Sequence, residues 1–333
     1  MSEEPVHPRD AFALEGAEVQ EQAFLDALGR GRLHHAWLLT GPEGVGKATF
    51  AFRAARRLLG AAPDPANGLL GSLGSDPVVR QVSARSHPDL MVLERVGEDG
   101  KLRKVIPVDE ARRLPEFFSQ TPAISPYRVA IIDAADDLNV NSANAILKTL
   151  EEPPPRGVIF LVSHAPGRLL PTIRSRCRRL AFTAPGEALA ADFLTARTDL
   201  THDQAARLAK MAGGAPGLAL RLAAADALGA DDAAHEILRN LPRLDEGALM
   251  ILADSFRGPE GQGRFDLLFD RLGAQIRTMA VGQAMAGVGE GLDRWVQAWD
   301  RLRVLPDQTE GLNLDRADAF WTAMRELRTA AAA

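Results

Sequence analysis

The chain is poor in the residues that build covalent or metal scaffolds. Its 333 residues include one cysteine, Cys177, which excludes an internal disulfide and a cysteine-rich zinc site. The seven histidines, His7, His34, His35, His87, His164, His202 and His235, show no metal-ligand spacing. Each reads as a surface or hydrogen-bonded side chain. No apolar run approaches the roughly 18 residues that a membrane span requires. The opening stretch, MSEEPVHPRD, is acidic and lacks the apolar core of a signal peptide. A soluble cytoplasmic protein with no membrane partner is expected. Positive charge is not in excess, since 39 Lys and Arg face 44 Asp and Glu for a net −5. Any contact with a polyanion must therefore come from a local patch or through a partner.

What is present is an ordinary globular composition, 46% hydrophobic, at a length that favours two or three domains. The first half alternates helix and strand signals. A helix is predicted over 17–30, a short strand over 36–39 and a helix over 47–59. Residues 60–86, punctuated by Pro63, Pro65, Gly68, Gly71, Gly74 and Pro77, read as a loop-like insertion. Strand signals return at 90–93, with a turn at Glu98-Asp-Gly100 and an amphipathic helix over 108–119. A buried strand over 129–132 ends on Asp133, a helix covers 142–151, and a further strand covers 158–162. Strands separated by helices imply a parallel sheet covered on both faces. Beyond Thr183 only helices are expected, at 187–196, 202–211 and 217–225, then longer ones carrying apolar stripes. Phe265, Leu268, Phe269, Leu272 and Ile276 form one stripe, and Leu292, Trp295, Trp299 and Leu302 another, both read as helix core. Three domains follow from this pattern: 1–184, 185–229 and 230–333.

The chemistry is carried by Gly41-Pro-Glu-Gly-Val-Gly-Lys47, which fits the phosphate-binding pattern G-x-x-x-x-G-K-[ST] except that Ala48 replaces the hydroxyl residue. In a complete loop, backbone N–H groups cradle the phosphates, the lysine reaches the β- and γ-phosphates, and the hydroxyl ligates Mg²⁺. Gly41, Gly44, Gly46, Lys47, Ala48 and Thr49 thus form a degenerate nucleotide site. Asp133, at the end of a buried strand, is the residue placed to help hold the metal. Oligomeric ATPases follow it with a glutamate that orients the attacking water, and here Ala134 stands instead. Asp136 and Asp137 read as capping or solvating the next turn.

Two further runs, Leu147-Lys-Thr-Leu-Glu-Glu-Pro-Pro154 and Thr172-Ile-Arg-Ser-Arg-Cys177, flank the last predicted strand. Together with Leu33-His-His-Ala-Trp-Leu-Leu39, Ser86-His-Pro-Asp-Leu90 and Gly311-Leu-Asn-Leu-Asp315, they resemble the bacterial clamp-loader subunits of the AAA+ superfamily. The likeness runs over nearly the whole chain and is greatest to the delta-prime type of DNA polymerase III. It implies an α/β P-loop (AAA+) domain with a parallel sheet, then a small helical lid domain and an all-α carboxy-terminal collar. By the same resemblance, Arg176 is an arginine finger acting in trans on the ATP of a neighbouring motor subunit. A guanidinium offers a fixed fork of donors and a permanent charge for that task. Arg174, Arg178 and Arg179 read as a solvated basic face, and Cys177 as a packing residue. The lid arginine of these subunits falls at Gly217, and the sensor after the fourth strand falls at Ser163 or His164.

The implied partners are gamma/tau motor subunits and a delta subunit in a hetero-pentamer, a sliding clamp, and primed DNA reached through the complex. The missing groups at Ala48, Ala134 and Gly217 point to a subunit that does not hydrolyse ATP and requires no cofactor, with ATP or ADP at most a weak ligand. Many subunits of this type carry a four-cysteine zinc module where this chain has 60–86, so zinc is not expected. Two readings compete: a weakly ATP-binding AAA+ ATPase with residual activity, in which Thr49 reaches the metal through water, and a scaffold that never meets a partner's ATP.

Overall fold

Trp37 and Leu38 are both buried, yet they serve different layers. Successive side chains of a strand point to opposite faces, and here each face meets helices. The computed structural model describes residues 6–96, 102–287 and 291–332, so the turn expected at 98–100 lies outside them. The chain divides into two compact units, residues up to Leu220 and residues from Arg221 onward.

In the first unit the elements run α1 (Glu18–Gly29), β1 (Ala36–Thr40), α2 (Lys47–Leu58), α3 (Pro77–Ser83), β2 (Leu90–Glu94), α4 (Val108–Ser119), β3 (Arg128–Asp133), α5 (Val140–Glu151), β4 (Gly157–Ser163), α6 (Pro171–Arg174), β5 (Arg178–Ala181), α7 (Glu187–Thr195), α8 (His202–Met211) and α9 (Pro216–Ala224), the last running across the boundary. The five strands are parallel in the order β2-β3-β4-β1-β5. Trp37, Leu39, Val129, Ile131, Val158 and Phe160 pack with Phe24 of α1 and Phe50 of α2 on one face. Ala36, Leu38, Ala130, Ile132, Ile159 and Leu161 pack with Leu114 of α4 and Ile146 of α5 on the other. The expected doubly covered parallel sheet is present.

Two elements depart from expectation. Residues 60–86 are not all loop: Asp76 accepts the N–H of Val78 and starts α3, whose Val79 and Val82 are buried. The seven-residue length of α3 gave too short an apolar period to read against the surrounding Pro and Gly. This segment is pinned by a buried ion pair, Arg53 to Glu21 at 2.8 Å, with Arg53 also donating to the Asn67 carbonyl and Glu21 accepting the Leu70 N–H. Among the described residues no cluster of His, Cys, Asp and Glu is arranged to hold a metal ion. The second departure is β5, whose Arg-Arg-Leu-Ala sequence read as a basic face. It is an edge strand, where only one ladder is needed and exposed arginines also blunt the edge. Arg178 stacks on the Trp37 ring at 4.8 Å, and Arg179 donates to Thr40 Oγ1 at 3.0 Å.

The Ser86–Leu90 motif is structural. Asp89, fully buried, accepts backbone N–H bonds from Ala123, Ile124 and Ser125 at 2.7–3.0 Å and pairs with Arg128 at 3.3 Å. His87 Nδ1 accepts the Asp89 N–H at 3.1 Å, which leaves the ring proton on Nε2, beside Ser125 Oγ. Ser125 Oγ donates its own proton to the Leu59 carbonyl. Serine, histidine and aspartate meet here without nucleophilic geometry, because the histidine's basic nitrogen is already spoken for. Burial pushes the Asp89 carboxyl up, but the three N–H groups and Arg128 outweigh it and hold it below the ordinary range.

The second unit is all-helical: α10 (Ala227–Arg239), α11 (Glu246–Asp254), α12 (Gly261–Met285), α13 (Leu292–Gly311) and α14 (Arg316–Ala331). The stripe Phe265, Leu268, Phe269, Leu272 and Ile276 is buried as expected, packed with Phe256, Phe320 and Leu302. Trp295 and Trp299 lie half-buried against the same core. The Gly311–Asp315 motif is a helix-to-helix turn: Asn313 takes the left-handed φ of 51°, and Asp315 caps α14 by accepting the N–H groups of Ala317 and Asp318.

Candidate functional site

The phosphate-binding loop joins the end of β1 to the start of α2, the strand–loop–helix setting that the motif requires. Gly46 takes the left-handed φ of 91° as the α2 N-cap. Lys47 is buried and donates to the carbonyls of Gly41 and Pro42, within its own loop. The glycines are required by protein packing. A Cβ at Gly41 would lie 2.2 Å from the Phe182 carbonyl, one at Gly44 2.1 Å from the Leu218 nitrogen, and one at Gly46 2.3 Å from Leu14 Cδ1. Ala48 is half-buried against the core and Thr49 half-buried beside it. The loop is thus held by Leu14 on one side and by the first turn of α9 on the other.

Gly217 sits in that first turn. Its N–H donates to the Gly44 carbonyl at 2.8 Å, and a Cβ on it would come 2.8 Å from the same oxygen. The position that carries an arginine in the resembling subunits therefore has no room here for a side chain to begin. Ala48 offers no hydroxyl to ligate Mg²⁺, and Ala134 offers no carboxylate to orient an attacking water.

Asp133 ends β3 in register with Glu94. Asp136 does more than cap its turn. Its carboxylate accepts from Ser163 Oγ at 3.0 Å and from the N–H groups of His164 and Ala165 at 2.7 and 3.1 Å, clasping the ends of β3 and β4 together. It is not placed to stand in for the glutamate absent at Ala134. Asp137 pairs with Arg95 at 3.1 Å. Of the two sensor candidates, Ser163 is fully buried and committed to Asp136, whereas the His164 imidazole feels the Lys47 ammonium. Burial first, then that charge, lower the His164 pKa below its ordinary value.

Arg176 lies at the other end of the sheet. It precedes Arg178, which pairs with Trp37 near the start of β1, whereas the phosphate-binding loop follows the end of β1 at Thr40. Five residues of strand separate the two by about 16 Å. Arg176 lines an open cleft of about 610 Å³ with His34, His35, Glu151, Glu152 and Ser175. Its guanidinium is ordered by acceptors on both terminal nitrogens: the Thr172 carbonyl at 2.9 Å and Glu151 Oε1 at 2.9 Å. The side chain is 34% exposed. Cys177, beside it, is half-buried against the core, and burial pushes its thiol up to about 12, so it stays protonated.

His34, His35 and Glu151 appear in the sequence only as members of motifs, with no site role assigned to them. The two imidazoles stack with centroids 4.4 Å apart, and His35 Nε2 donates to the Leu150 carbonyl at the end of α5. Burial, then the His34 ring, lower the His35 pKa. The available signal was motif membership: Leu33–Leu39 and Leu147–Pro154 converge with the Arg176 segment on one cleft.

A family model described as DNA polymerase III, delta subunit, matches residues 16–186, just over half of the 333. The chain belongs to this family. Among its relatives, the DNA polymerase III subunit delta' of Pseudomonas aeruginosa is 39% identical over 204 residues, 61% of this chain and 60% of that protein. The Escherichia coli subunit of the same name is 33% identical over 192 residues, 58% of this chain and 55% of that one. The matched region thus spans less than two thirds of either delta' relative. DNA polymerase III subunit gamma/tau of Mycobacterium tuberculosis is 35% identical over 156 residues, 47% of this chain and 25% of that one. A crystal structure of a DNA polymerase III gamma subunit-related protein from Thermotoga maritima shares the fold, with a TM-score of 0.50 and 18% identity over 95% of this chain and 99% of that chain. The expected architecture, an α/β P-loop domain of the AAA+ type followed by helices, holds.

Proposed function

We propose that this chain is a non-hydrolysing clamp-loader subunit of the delta-prime type. It acts in a hetero-pentamer with gamma/tau motor subunits and a delta subunit that opens a sliding clamp and places it on primed DNA. Arg176 serves as the arginine finger for the ATP of an adjoining motor subunit, and the helices of 230–333 form the collar. The observation that carries the reading is the separation of Arg176 from its own phosphate-binding loop, at opposite ends of β1, with Arg176 facing an open cleft. A guanidinium so placed is out of reach of a phosphate in its own loop and open to one brought by another chain. The loop itself is packed against Leu14 and Leu218, which suits a structural turn.

The test is Arg176→Ala in the reconstituted complex. Clamp- and DNA-stimulated hydrolysis at the adjoining site falls on the order of 10³-fold, while the complex still assembles. Lys47→Ala leaves that hydrolysis unchanged. Unaltered turnover in Arg176→Ala would sink the finger, and turnover by the isolated chain that disappears with Lys47→Ala would sink the non-hydrolysing assignment.

A further inference from the structure

We propose that Glu151 is a positioning residue that fixes the Arg176 guanidinium for its partner phosphate; the inference rests on the finger reading above. Glu151 is the last residue of α5, where Glu152 and the prolines at 153–155 stop the helix. A carboxylate there faces the negative end of the helix dipole, the position that favours cations. The placement is locally unfavourable, and local rules are broken most often where function requires it. The compensating partner is Arg176, whose Nη2 lies 2.9 Å from Glu151 Oε1.

The pair is 34% and 47% exposed, so it adds little to stability. Its value is orientation. Thr172, on α6, holds Nη1 through its carbonyl, and Glu151, on α5, holds Nη2, so two separate elements fix the plane of the fork. A long side chain loses rotamer freedom when it meets a phosphate, and a guanidinium already held in one geometry loses less. A guanidinium carries five N–H groups, so Arg176 can meet a phosphate from the open side of the cleft while Glu151 and Thr172 still hold it.

The test compares Glu151→Ala, Glu151→Gln and Arg176→Ala in the reconstituted complex, with melting temperature and assembly measured alongside. Glu151→Ala lowers the kcat of stimulated ATP hydrolysis about 10-fold and leaves KM for ATP and the melting temperature unchanged. Glu151→Gln keeps an acceptor oxygen at the same reach and recovers most of the loss. Wild-type or raised kcat in Glu151→Ala, with Arg176→Ala strongly impaired, overturns the positioning role and leaves the finger standing. Unimpaired hydrolysis in both overturns the two together.

Discussion

At the scale of single residues, buried polar groups decide most of what is distinctive here. Asp89 is the clearest case, since its carboxylate organises the chain at 123–125 before β3 and carries the Arg128 charge. Asp89→Asn replaces an acceptor oxygen with a donor facing N–H groups and strands the arginine. A loss of about 3–5 kcal/mol is expected, measured by urea unfolding. Four histidines bear on how stability should change with pH. His7, His35, His87 and His164 all have pKa values lowered, chiefly by desolvation, which favours the neutral ring in the fold. Their contribution is present above the unfolded value of about 6.5 and lost as pH falls through the lowered folded values. Asp89, also lowered, acts in the same direction at more acid pH. The melting temperature should therefore fall as pH drops from 7 towards 5 and fall again below 4. A constant melting temperature from pH 7 to 5 would count against the lowered histidine values.

At the scale of elements, α9 bears directly on the phosphate-binding loop. Its first turn lies against the phosphate-binding loop so closely that Gly217 and Gly44 are mutually required. Gly217→Arg, which restores the arginine of resembling subunits, should therefore lower the melting temperature and create no ATP hydrolysis. A variant of wild-type stability that binds ATP would show that α9 can retreat. Elements with strong periodicity were legible in the sequence. The bounds of α4 and α8 follow from their apolar spacing, and Asp315 and Thr201 mark helix starts by capping. The three interior strands, β1, β3 and β4, and the edge strand β2 announce themselves as apolar runs, whereas β5 does not, because its place is fixed by pairing with β1 and not by its own composition. Of the candidate site, the loop and Arg176 were legible as motifs. The Arg176 cleft was not, since one of its walls comes from His34 and His35, and only the sheet order brings His35 to Leu150, 115 residues further along the chain.

At the scale of the molecule, the two units each own a core. Phe320, fully buried among Phe256 and its neighbours, belongs to the helical unit alone. Phe320→Ala should cost about 3–5 kcal/mol and raise amide exchange in α11 to α14 while leaving β1, β3 and β4 protected. Exchange rising equally in the sheet would show that the units unfold together. The division also separates the tryptophans: Trp295, Trp299 and Trp321 lie in the helical unit, and Trp37 is the one in the α/β unit. Trp37 is fully buried, its indole N–H is donated to the His34 carbonyl at 2.9 Å, and its ring carries the Arg178 guanidinium. It stands directly beneath one wall of the Arg176 cleft. With the other three replaced by phenylalanine, Trp37 becomes a single emitter whose spectrum reports on that wall, so the arrival of a neighbouring subunit can be followed by light without a dye.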